Sequence, residues 1–296
     1  MIIDLGNHTI ECDFDPRIQC NNSAEKLPIE DIGFIYNCVF KQRSATIRSI
    51  EATREVYPDA KTYLVSDGGL DYSFLEDERL KFSMQEDTVS PIIKINESNY
   101  LDPKNQAVTK RGMAATIRRL KEGLEFCEYP EWFCMTEPDV LIRGKVNHPV
   151  GAKLLGHRIN FAWYTKTWYD GFIGINNLLS QIEGTIPILR WGSVPVIGHT
   201  QTLLKGIEVY EKNFEILDKL SEQFHVPGTF DLFLPILFAL AGEPEVFSDE
   251  YTECLRNPDW KTSSHSVVHQ YREFYSEDDY YGSVSYTHLR AHETLN

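Results

Sequence analysis

The sequence predicts an α/β fold in which helices flank a mostly parallel central sheet, formed as a single domain. Short and continuously apolar runs, which are typical of strands buried on both faces, alternate with longer segments whose apolar residues recur at helical spacing. Such alternation indicates a parallel sheet with helical crossovers. The chain has 296 residues, of which 42% are hydrophobic and 12% aromatic. It is therefore long and apolar enough for one large core.

The first half of the chain shows the clearest alternation of strands and helices. Residues 1–30 are polar and turn-rich, and we expect an N-terminal extension or hairpin there. Beyond them, apolar and β-branched runs indicate strands, and the turn residues Pro58 and Asp59 end the first helix. The predicted elements are a strand at 32–39, a helix at 44–57, strands at 62–65 and 92–95, a helix at 109–126 and a strand at 132–136.

The second half of the chain is more mixed. A strand at 194–197 precedes one long amphipathic helix whose apolar stripe continues to Phe224. A further helix at about 231–241 is apolar nearly all round and stops at Gly242. We therefore expect this helix to be buried, and it is too short to span a membrane.

Charge and composition exclude several classes of partner. The formal net charge of −15 argues against a nucleic-acid or anionic-membrane surface. There is no apolar stretch long enough for a transmembrane helix and no signal-peptide pattern, so we expect a cytoplasmic protein without an integral membrane segment. The six cysteines lack CxxC or zinc spacing and indicate reduced, mostly buried side chains. A protein this acidic needs a cation or backbone N–H groups to bind a phosphorylated ligand.

The end of the chain is set apart from the predicted fold. Val284–Thr294 resembles the translation of a sequencing adapter, so His288 and His292 are excluded from any site. The expected organisation is an N-terminal extension at 1–30, one domain at 31–275, and an acidic segment with the adapter-like tail at 276–296.

The most informative motif is Glu137-Pro138-Asp139, at the end of the strand predicted at 132–136. Acids at the carboxyl edge of an α/β sheet lie where such proteins bind ligands. Divalent cations are commonly held by one or two carboxylates together with substrate phosphates. Pro138 suits the point where the strand stops, because it has no N–H for the ladder. The alternative is an ordinary polar junction between strand and loop.

Three further motifs contain residues suited to a catalytic or binding role. Asp67 follows a predicted strand, in Val65-Ser66-Asp67-Gly68-Gly69-Leu70-Asp71. Asp231 lies in Thr229-Phe230-Asp231-Leu232 at a helix start, where an acid also serves simply as a helix cap. His265 and His269 lie in a late apolar segment, and His269 is expected on the same strand face as Val267. For either histidine the alternative is a surface or hydrogen-bonded side chain.

Together these motifs resemble nucleotide-sugar glycosyltransferases of the GT-A fold (Rossmann-like), and glycosyltransferase family 2 most closely, over about residues 30–275. The resemblance implies that Asp67 contacts the nucleotide base, although Ser66 stands where the family usually has another acid. Glu137 and Asp139 match the metal-binding DxD motif, with Glu in first place, and would hold Mn²⁺ or Mg²⁺. Asp231 would be the catalytic base that takes the acceptor hydroxyl proton, and His269 would complete the metal shell.

Two more groups are candidate ligand contacts. Lys110 and Arg111, at the start of the helix predicted at 109–126, are candidates for holding donor phosphate, or else form a solvated helix end. Aromatic residues crowd a Gly-rich stretch beside a predicted turn at Asp170-Gly171, where they would stack against an acceptor sugar or belong to the core. This aromatic cluster comprises Trp163, Tyr164, Trp168 and Tyr169.

The predicted function is that of a metal-dependent glycosyltransferase. It would move a sugar from a nucleotide diphosphate donor, with UDP favoured over GDP, to a hydroxyl of a glycan or other acceptor. One alternative is a catalytically inactive, carbohydrate-binding relative. Another is a sugar-phosphate nucleotidyltransferase, although the Gly-rich phosphate loop expected after the first strand is absent. A metal-dependent hydrolase would need denser His and Asp clusters than the sequence contains.

Overall fold

The structure, a computed structural model, describes residues 2–4, 9–11, 25–38, 43–67, 70–85, 103–156, 166–188, 194–223, 230–248, 250 and 264–269. The strands are β1 (Ile2–Asp4), β2 (Thr9–Glu11), β3 (Lys26–Pro28), β4 (Ile32–Cys38), β5 (Thr62–Asp67), β6 (Leu80–Gln85), β7 (Trp132–Thr136), β8 (Val140–Ile142), β9 (Asn147–Pro149), β10 (Leu154–Gly156), β11 (Val196–His199), β12 (Glu245–Phe247) and β13 (Val267–His269). The α-helices are α1 (Arg43–Val56), α2 (Pro103–Phe126), α3 (Lys166–Leu179), α4 (Thr200–Lys212), α5 (Phe214–Leu217) and α6 (Phe230–Leu240). Short 3₁₀ helices cover Ser73–Leu75 and Asp218–Glu222.

A seven-stranded sheet organises these elements, in the order β12-β10-β11-β7-β4-β5-β6. The pairs β4–β5, β5–β6, β4–β7 and β10–β12 are parallel. Among the strands that the structure describes in this sheet, only β11 runs against its neighbours, β7 and β10. The predicted fold class, α/β with a mostly parallel central sheet flanked by helices, is confirmed.

The sheet separates two hydrophobic clusters. On β4, Ile35 belongs to the cluster that contains Leu120 of α2, whereas Phe34 and Tyr36 belong to the cluster that contains Ile50 of α1. This division follows from the alternation of side chains along a strand. Every residue of β4 is buried, which explains why its sequence is apolar apart from Asn37 and does not alternate between apolar and polar residues.

The chain order within the sheet reverses between β4 and β7. From β4 the chain passes through α1 to β5 and on to β6, and α2 then returns it to β7 on the other side of β4. In open α/β sheets, ligands bind outside the carboxyl ends of the strands at such a reversal. The residues that follow β7 therefore lie at the edge where a ligand site is expected.

Helices α4 and α6 pack closely on one face of the sheet. A Cβ atom added at Gly206 of α4 would lie 1.9 Å from the carbonyl oxygen of Leu237 in α6. Glycine is therefore required there for the two backbones to approach. Helix α6 is buried at every position from 232 to 240, as its uniformly apolar sequence predicts. It ends before Gly242, whose φ of 82° is the left-handed conformation that commonly terminates helices.

Most predicted elements of the first half are present, with some changed ends. β4, α1, β5 and β7 correspond to the predictions, while α2 begins at Pro103, six residues earlier than expected. Proline suits a first helical turn because its missing N–H would have no partner there. The strand predicted at 92–95 lies outside the described residues. The sequence reading missed β6, an edge strand whose burial does not alternate regularly.

Two expectations for the second half are wrong. The long helix divides into α4, α5 and the 3₁₀ helix Asp218–Glu222, because the side chain and backbone N–H groups of Asn213 bond the Val209 carbonyl and end α4. Phe224 lies outside the described residues. The turn at Asp170-Gly171 is also wrong, since both residues belong to α3, whose buried Phe172 and Ile175 follow helical spacing. The strand predicted at 194–197 is present, displaced to β11.

Small ribbons surround the large sheet. β1 pairs with β2, β3 with β9 and β8 with β13, all antiparallel. The β1–β2 ribbon lies within the region expected as an extension or hairpin, while β3, in the same region, pairs with a strand of the predicted domain. Among the described helices, none combines the length and apolar character needed to cross a bilayer.

Candidate metal site

The turn after β7 positions the two acids. β7 is buried throughout and ends at Thr136, which pairs with Tyr36 of β4. Glu137, Pro138 and Asp139 then turn the chain, and the Val140 N–H closes the turn on the Glu137 carbonyl at 3.2 Å. Both carboxylates thus lie at the carboxyl end of β7, beside the reversal in strand order.

A ribbon brings His269 to the same place. β8 starts immediately after Asp139 and pairs antiparallel with β13, so that Val140 lies opposite His269. Val267 and Val268 of β13 are fully buried, which fixes β13 against the core. His265, the other candidate of this segment, is exposed.

Glu137, Asp139 and His269 form a compact cluster. Each offers one ligand atom, and these atoms all lie within 4.8 Å of one another. Nε2 of His269 is 3.5 Å from Oδ2 of Asp139. The Asp139 residue is only 3% exposed, and the His269 side chain 17%. Of the residues that the structure describes, no other group of three or more His, Cys, Asp or Glu has this geometry.

The donor set of this cluster fits a divalent cation. Carboxylate oxygens suit Mg²⁺ and Mn²⁺, and an imidazole nitrogen adds a donor that first-row transition metals accept. Burying a carboxylate such as Asp139 costs free energy unless a positive charge or hydrogen bonds compensate for lost hydration. A cation held between Glu137, Asp139 and His269 would supply that compensation.

The thiol of Cys38, the last residue of β4, lies in the field of this cluster. Burial raises the pKa of Cys38 to about 12, and the negative charge of Glu137 adds to the shift against the effect of a hydrogen bond from Thr46. The thiol therefore stays protonated at neutral pH. Cys38 is not among the three residues that gather their ligand atoms in the cluster.

Glu250 holds the start of β13 in place. Its carboxylate accepts from Ser266 Oγ at 2.6 Å and from Asn147 Nδ2 at 3.0 Å, and its carbonyl accepts from the Val267 N–H at 2.9 Å. The Arg143 N–H donates to the Ser266 carbonyl at 2.7 Å. These bonds join β13 to the segment that follows β8, so the position of His269 is fixed from both sides of the ribbon.

Comparison with known proteins adds a loose structural likeness. No protein-family model matches the chain, and no curated protein matches it in sequence. Among solved structures, it is similar to an active-site mutant of LgtC, with 12% identity and a TM-score of 0.49 over 88% of this chain and 95% of that chain. It is also similar to the galactosyltransferase LgtC in complex with donor and acceptor sugar analogues, with 11% identity and a TM-score of 0.48 over 84% and 93%. Likenesses of this extent concern the course of the chain and say nothing about activity.

Two predicted site residues are located by their backbone alone. Asp67 is the last residue of β5 and pairs with Gln85 of β6, so it lies at the same carboxyl edge of the sheet as Glu137. Asp231 lies in the first turn of α6, the helix start that the sequence predicts for it. The side chains of Asp67 and Asp231 lie outside the described part of the structure, so their roles stay predictions.

Lys110 and Arg111 lie inside α2 and not at its start. Lys110 forms an ion pair with Asp218 of the 3₁₀ helix. The pair borders a cleft of about 270 Å³ between α2 and the α4–α5 region, whose apolar lining includes Met113 and Tyr210. This location differs from the acid cluster, and a contact of either cation with donor phosphate stays a prediction.

The aromatic cluster is described only in part. Trp163 and Tyr164 lie outside the described residues. Trp168 and Tyr169 belong to α3, but their side chains are not among those described. Asp170, in the same helix, is exposed. Contact of this segment with an acceptor stays a prediction.

The sequence reading missed the strand that joins the acids to His269. Val140-Leu141-Ile142 is a fully buried apolar run with two β-branched residues directly after Asp139, and this pattern was a usable signal for a strand. No local sequence pattern predicts the pairing of β8 with β13, because their register depends on contacts between distant segments of the chain.

Proposed function

We propose that the protein is a divalent-metal-dependent glycosyltransferase of the hexosyltransferase type, with a GT-A-like fold. It transfers a sugar from a nucleotide diphosphate donor, with a UDP-sugar favoured, to a hydroxyl of a glycan or other acceptor. The observation that carries the proposal is the gathering of Glu137, Asp139 and His269, from two distant segments, at the carboxyl end of β7. The order of strands around β4, with its reversal beside β7, supports it further.

Charge explains why such an enzyme would use a metal. The chain carries a formal net charge of −15, so a nucleotide diphosphate approaches a negative field. A divalent cation bound by Glu137, Asp139 and His269 would offset this repulsion and stabilise the charge that develops on the leaving nucleotide. Mn²⁺ suits the mixed oxygen and nitrogen donors better than Mg²⁺, which prefers oxygen ligands.

The remaining roles follow from the resemblance to family 2. Asp67, at the end of β5, is proposed to contact the nucleotide base. Asp231, at the start of α6, is proposed to accept the proton of the acceptor hydroxyl as the anomeric carbon is attacked. The segment with Trp168 and Tyr169, next to Asp170, is proposed to bind the acceptor sugar.

Lys110 and Arg111 are proposed to assist with donor phosphate. The ion pair of Lys110 with Asp218 would have to open for a direct contact. Because both side chains of that pair are substantially exposed, opening it costs little.

The test is nucleotide release from a panel of UDP- and GDP-sugars with Mn²⁺, with Mg²⁺ and with a chelator. Native protein and Asp139→Asn are compared with Asp77→Asn, which removes a carboxylate paired with Arg54. We expect metal-dependent release by native protein and Asp77→Asn, and a loss of at least about a hundredfold in Asp139→Asn. Equal release in chelator would remove the metal from the mechanism.

Thermal melting separates the alternatives. A ligand that binds only the native state raises the melting temperature, so Mn²⁺ with a nucleotide diphosphate should stabilise the native protein more than either alone. Stabilisation without nucleotide release from any donor would indicate the inactive carbohydrate-binding relative. Release of pyrophosphate from a nucleoside triphosphate and a sugar phosphate would indicate the nucleotidyltransferase.

A further inference from the structure

The strand β8 connects the two halves of the candidate metal site. Val140 follows Asp139 directly and lies opposite His269 in the β8–β13 ribbon. This ribbon is separate from the seven-stranded sheet, so the sheet's own hydrogen-bond ladder does not hold it. The position of Val140 relative to the body of the protein therefore contributes to the spacing between the Asp139 carboxylate and the His269 imidazole, together with the bonds that hold the start of β13.

Ser49 of α1 supplies a direct tie to β8. Its Oγ donates to the carbonyl oxygen of Val140 at 2.5 Å. Ser49 is completely buried, so water does not compete for this bond. At the other side of the same residue, the Val140 N–H donates to the Glu137 carbonyl. The backbone of Val140 is thus held both by the acid turn and by α1.

The hydroxyl of Tyr36 orients Ser49 from the centre of the sheet. Tyr36 Oη lies 3.1 Å from Ser49 Oγ and 2.8 Å from Thr53 Oγ1. Because Ser49 uses its single hydroxyl proton on Val140, its Oγ can only accept in this contact. The Tyr36 proton is shared between this Oγ and the Ser49 carbonyl oxygen, which lies 3.2 Å from Tyr36 Oη. Burial raises the pKa of Tyr36 far above its usual value, so the phenol keeps its proton. The hydroxyls form a chain from Thr53 through Tyr36 and Ser49 to Val140.

We propose that Ser49, oriented by Tyr36, is a positioning residue for the metal site, because its bond to the Val140 carbonyl sets the spacing between Asp139 and His269. The proposal rests on the proposed metal-dependent function. Ser49 is not one of the three candidate ligands, and it acts through the backbone of β8. Partners that hydrogen-bond a metal's ligands typically alter metal affinity by 10- to 100-fold when they are lost. Ser49 bonds the residue next to Asp139 and not a ligand itself, so its effect is expected at the lower end of this range.

The chain offers a matched control in Thr53. Both Ser49 and Thr53 are fully or almost fully buried on α1, and both contact the Tyr36 hydroxyl. Of the two residues, it is Ser49 whose described hydrogen bond reaches the Val140 carbonyl. Ser49→Ala and Thr53→Val therefore remove comparable buried hydroxyls from the same chain of hydrogen bonds, and they differ in whether the tie to β8 is lost.

The experiment measures Mn²⁺ affinity by calorimetry without donor, together with melting temperature. The proteins are native, Ser49→Ala, Thr53→Val and Asp139→Asn. We expect both hydroxyl variants to melt lower by similar amounts, and the Mn²⁺ dissociation constant to rise about tenfold in Ser49→Ala and less than twofold in Thr53→Val. Equal dissociation constants in these two variants would overturn the proposal while leaving metal binding intact.

The two proposals fail in different ways. Absence of Mn²⁺ binding by native protein, or binding unchanged in Asp139→Asn, would overturn the proposed function and the positioning role with it. If Ser49→Ala does not fold, Ser49→Cys replaces it, because a thiol of similar size is a weaker donor. We then expect an intermediate rise in the dissociation constant, and a native value would overturn the role of Ser49.

Discussion

Nε2 of His269 lies 3.5 Å from Oδ2 of Asp139, across the junction of β8 and β13. At this distance the imidazole and the carboxylate face the same point, together with an oxygen of Glu137. Metal ligands must be deprotonated, so protons and a cation compete for this point. Bound metal should therefore be released as the solution is acidified.

Replacing His269 tests whether the imidazole belongs to the ligand set. We expect His269→Ala to weaken Mn²⁺ binding by at least about tenfold, since loss of a direct ligand costs no less than loss of an outer partner. The control is His265→Ala, which removes an exposed histidine of the same segment and should bind like native protein. Calorimetric titration with Mn²⁺ measures the dissociation constant of each variant. If His269→Ala bound Mn²⁺ with native affinity, only the two acids would belong to the ligand set.

A second prediction concerns stability in mild acid. Burial, followed by the positive charge of Lys153, lowers the pKa of His199 below its usual 6.5, while Glu131 and Glu243 oppose the shift. Nδ1 of His199 also accepts the Thr202 N–H as the N-cap of α4. The unfolded chain therefore binds this proton more readily than the native one. Stability should fall as the pH drops below about 6.5 towards the lowered native pKa.

Substitution of His199 by asparagine isolates this effect. Asparagine is a good N-cap without a titrating group, so His199→Asn should flatten the decline in urea midpoint between about pH 7 and pH 5. His265→Asn, which replaces an exposed histidine, should follow the native curve. A slope in His199→Asn as steep as the native slope would show that other groups cause the acid sensitivity.

A third prediction concerns the contact between α4 and α6. In Gly206→Ala the new methyl would meet the Leu237 carbonyl, a backbone atom that cannot rotate away. We expect a loss of about 1–3 kcal/mol or more in the free energy of unfolding, as in other overpacked cores. Gln201→Ala, an exposed change in the same helix, should be nearly neutral. Denaturant unfolding measures the free energy of unfolding of both variants. If Gly206→Ala left this free energy unchanged, the two helices would be able to move apart at little cost.

A fourth prediction concerns thiol reactivity. Burial raises the pKa of Cys38 and of Cys127 to about 12, and that of Cys134 further still. Since the thiolate is the reactive form, these three cysteines should resist iodoacetamide at pH 8 in native protein and react after unfolding. Peptide mapping by mass spectrometry reads each site separately. Rapid native labelling of Cys134 would contradict its placement in the core.

Much of the fold could be predicted because local pattern and burial agree. The apolar run of β4 and the helical spacing in α2 each have one plausible structure, and both appear. The break at Asn213 could not be predicted, because the apolar stripe continues past it while a side-chain bond to Val209 ends the helix. In α3, Gly171 favoured a turn, but the core contacts of the helix overrode that preference.

The candidate site likewise contains residues that the sequence predicts and contacts that it does not. Glu137 and Asp139 stand out in the sequence because acids end a buried strand abruptly. The proximity of His269 to them depends on the pairing of β8 with β13, which is non-local. The tie from Ser49 to Val140 has no sequence signal, since a buried serine in a helix resembles any small core residue.

The separation of the β8–β13 ribbon from the large sheet has a consequence for biosynthesis. All seven strands of that sheet precede Val267 in the chain, so a nascent polypeptide on the ribosome can assemble the sheet before β13 emerges. The imidazole can join the two acids only after β13 has paired with β8. Loading with a cation would accordingly be a late step of maturation.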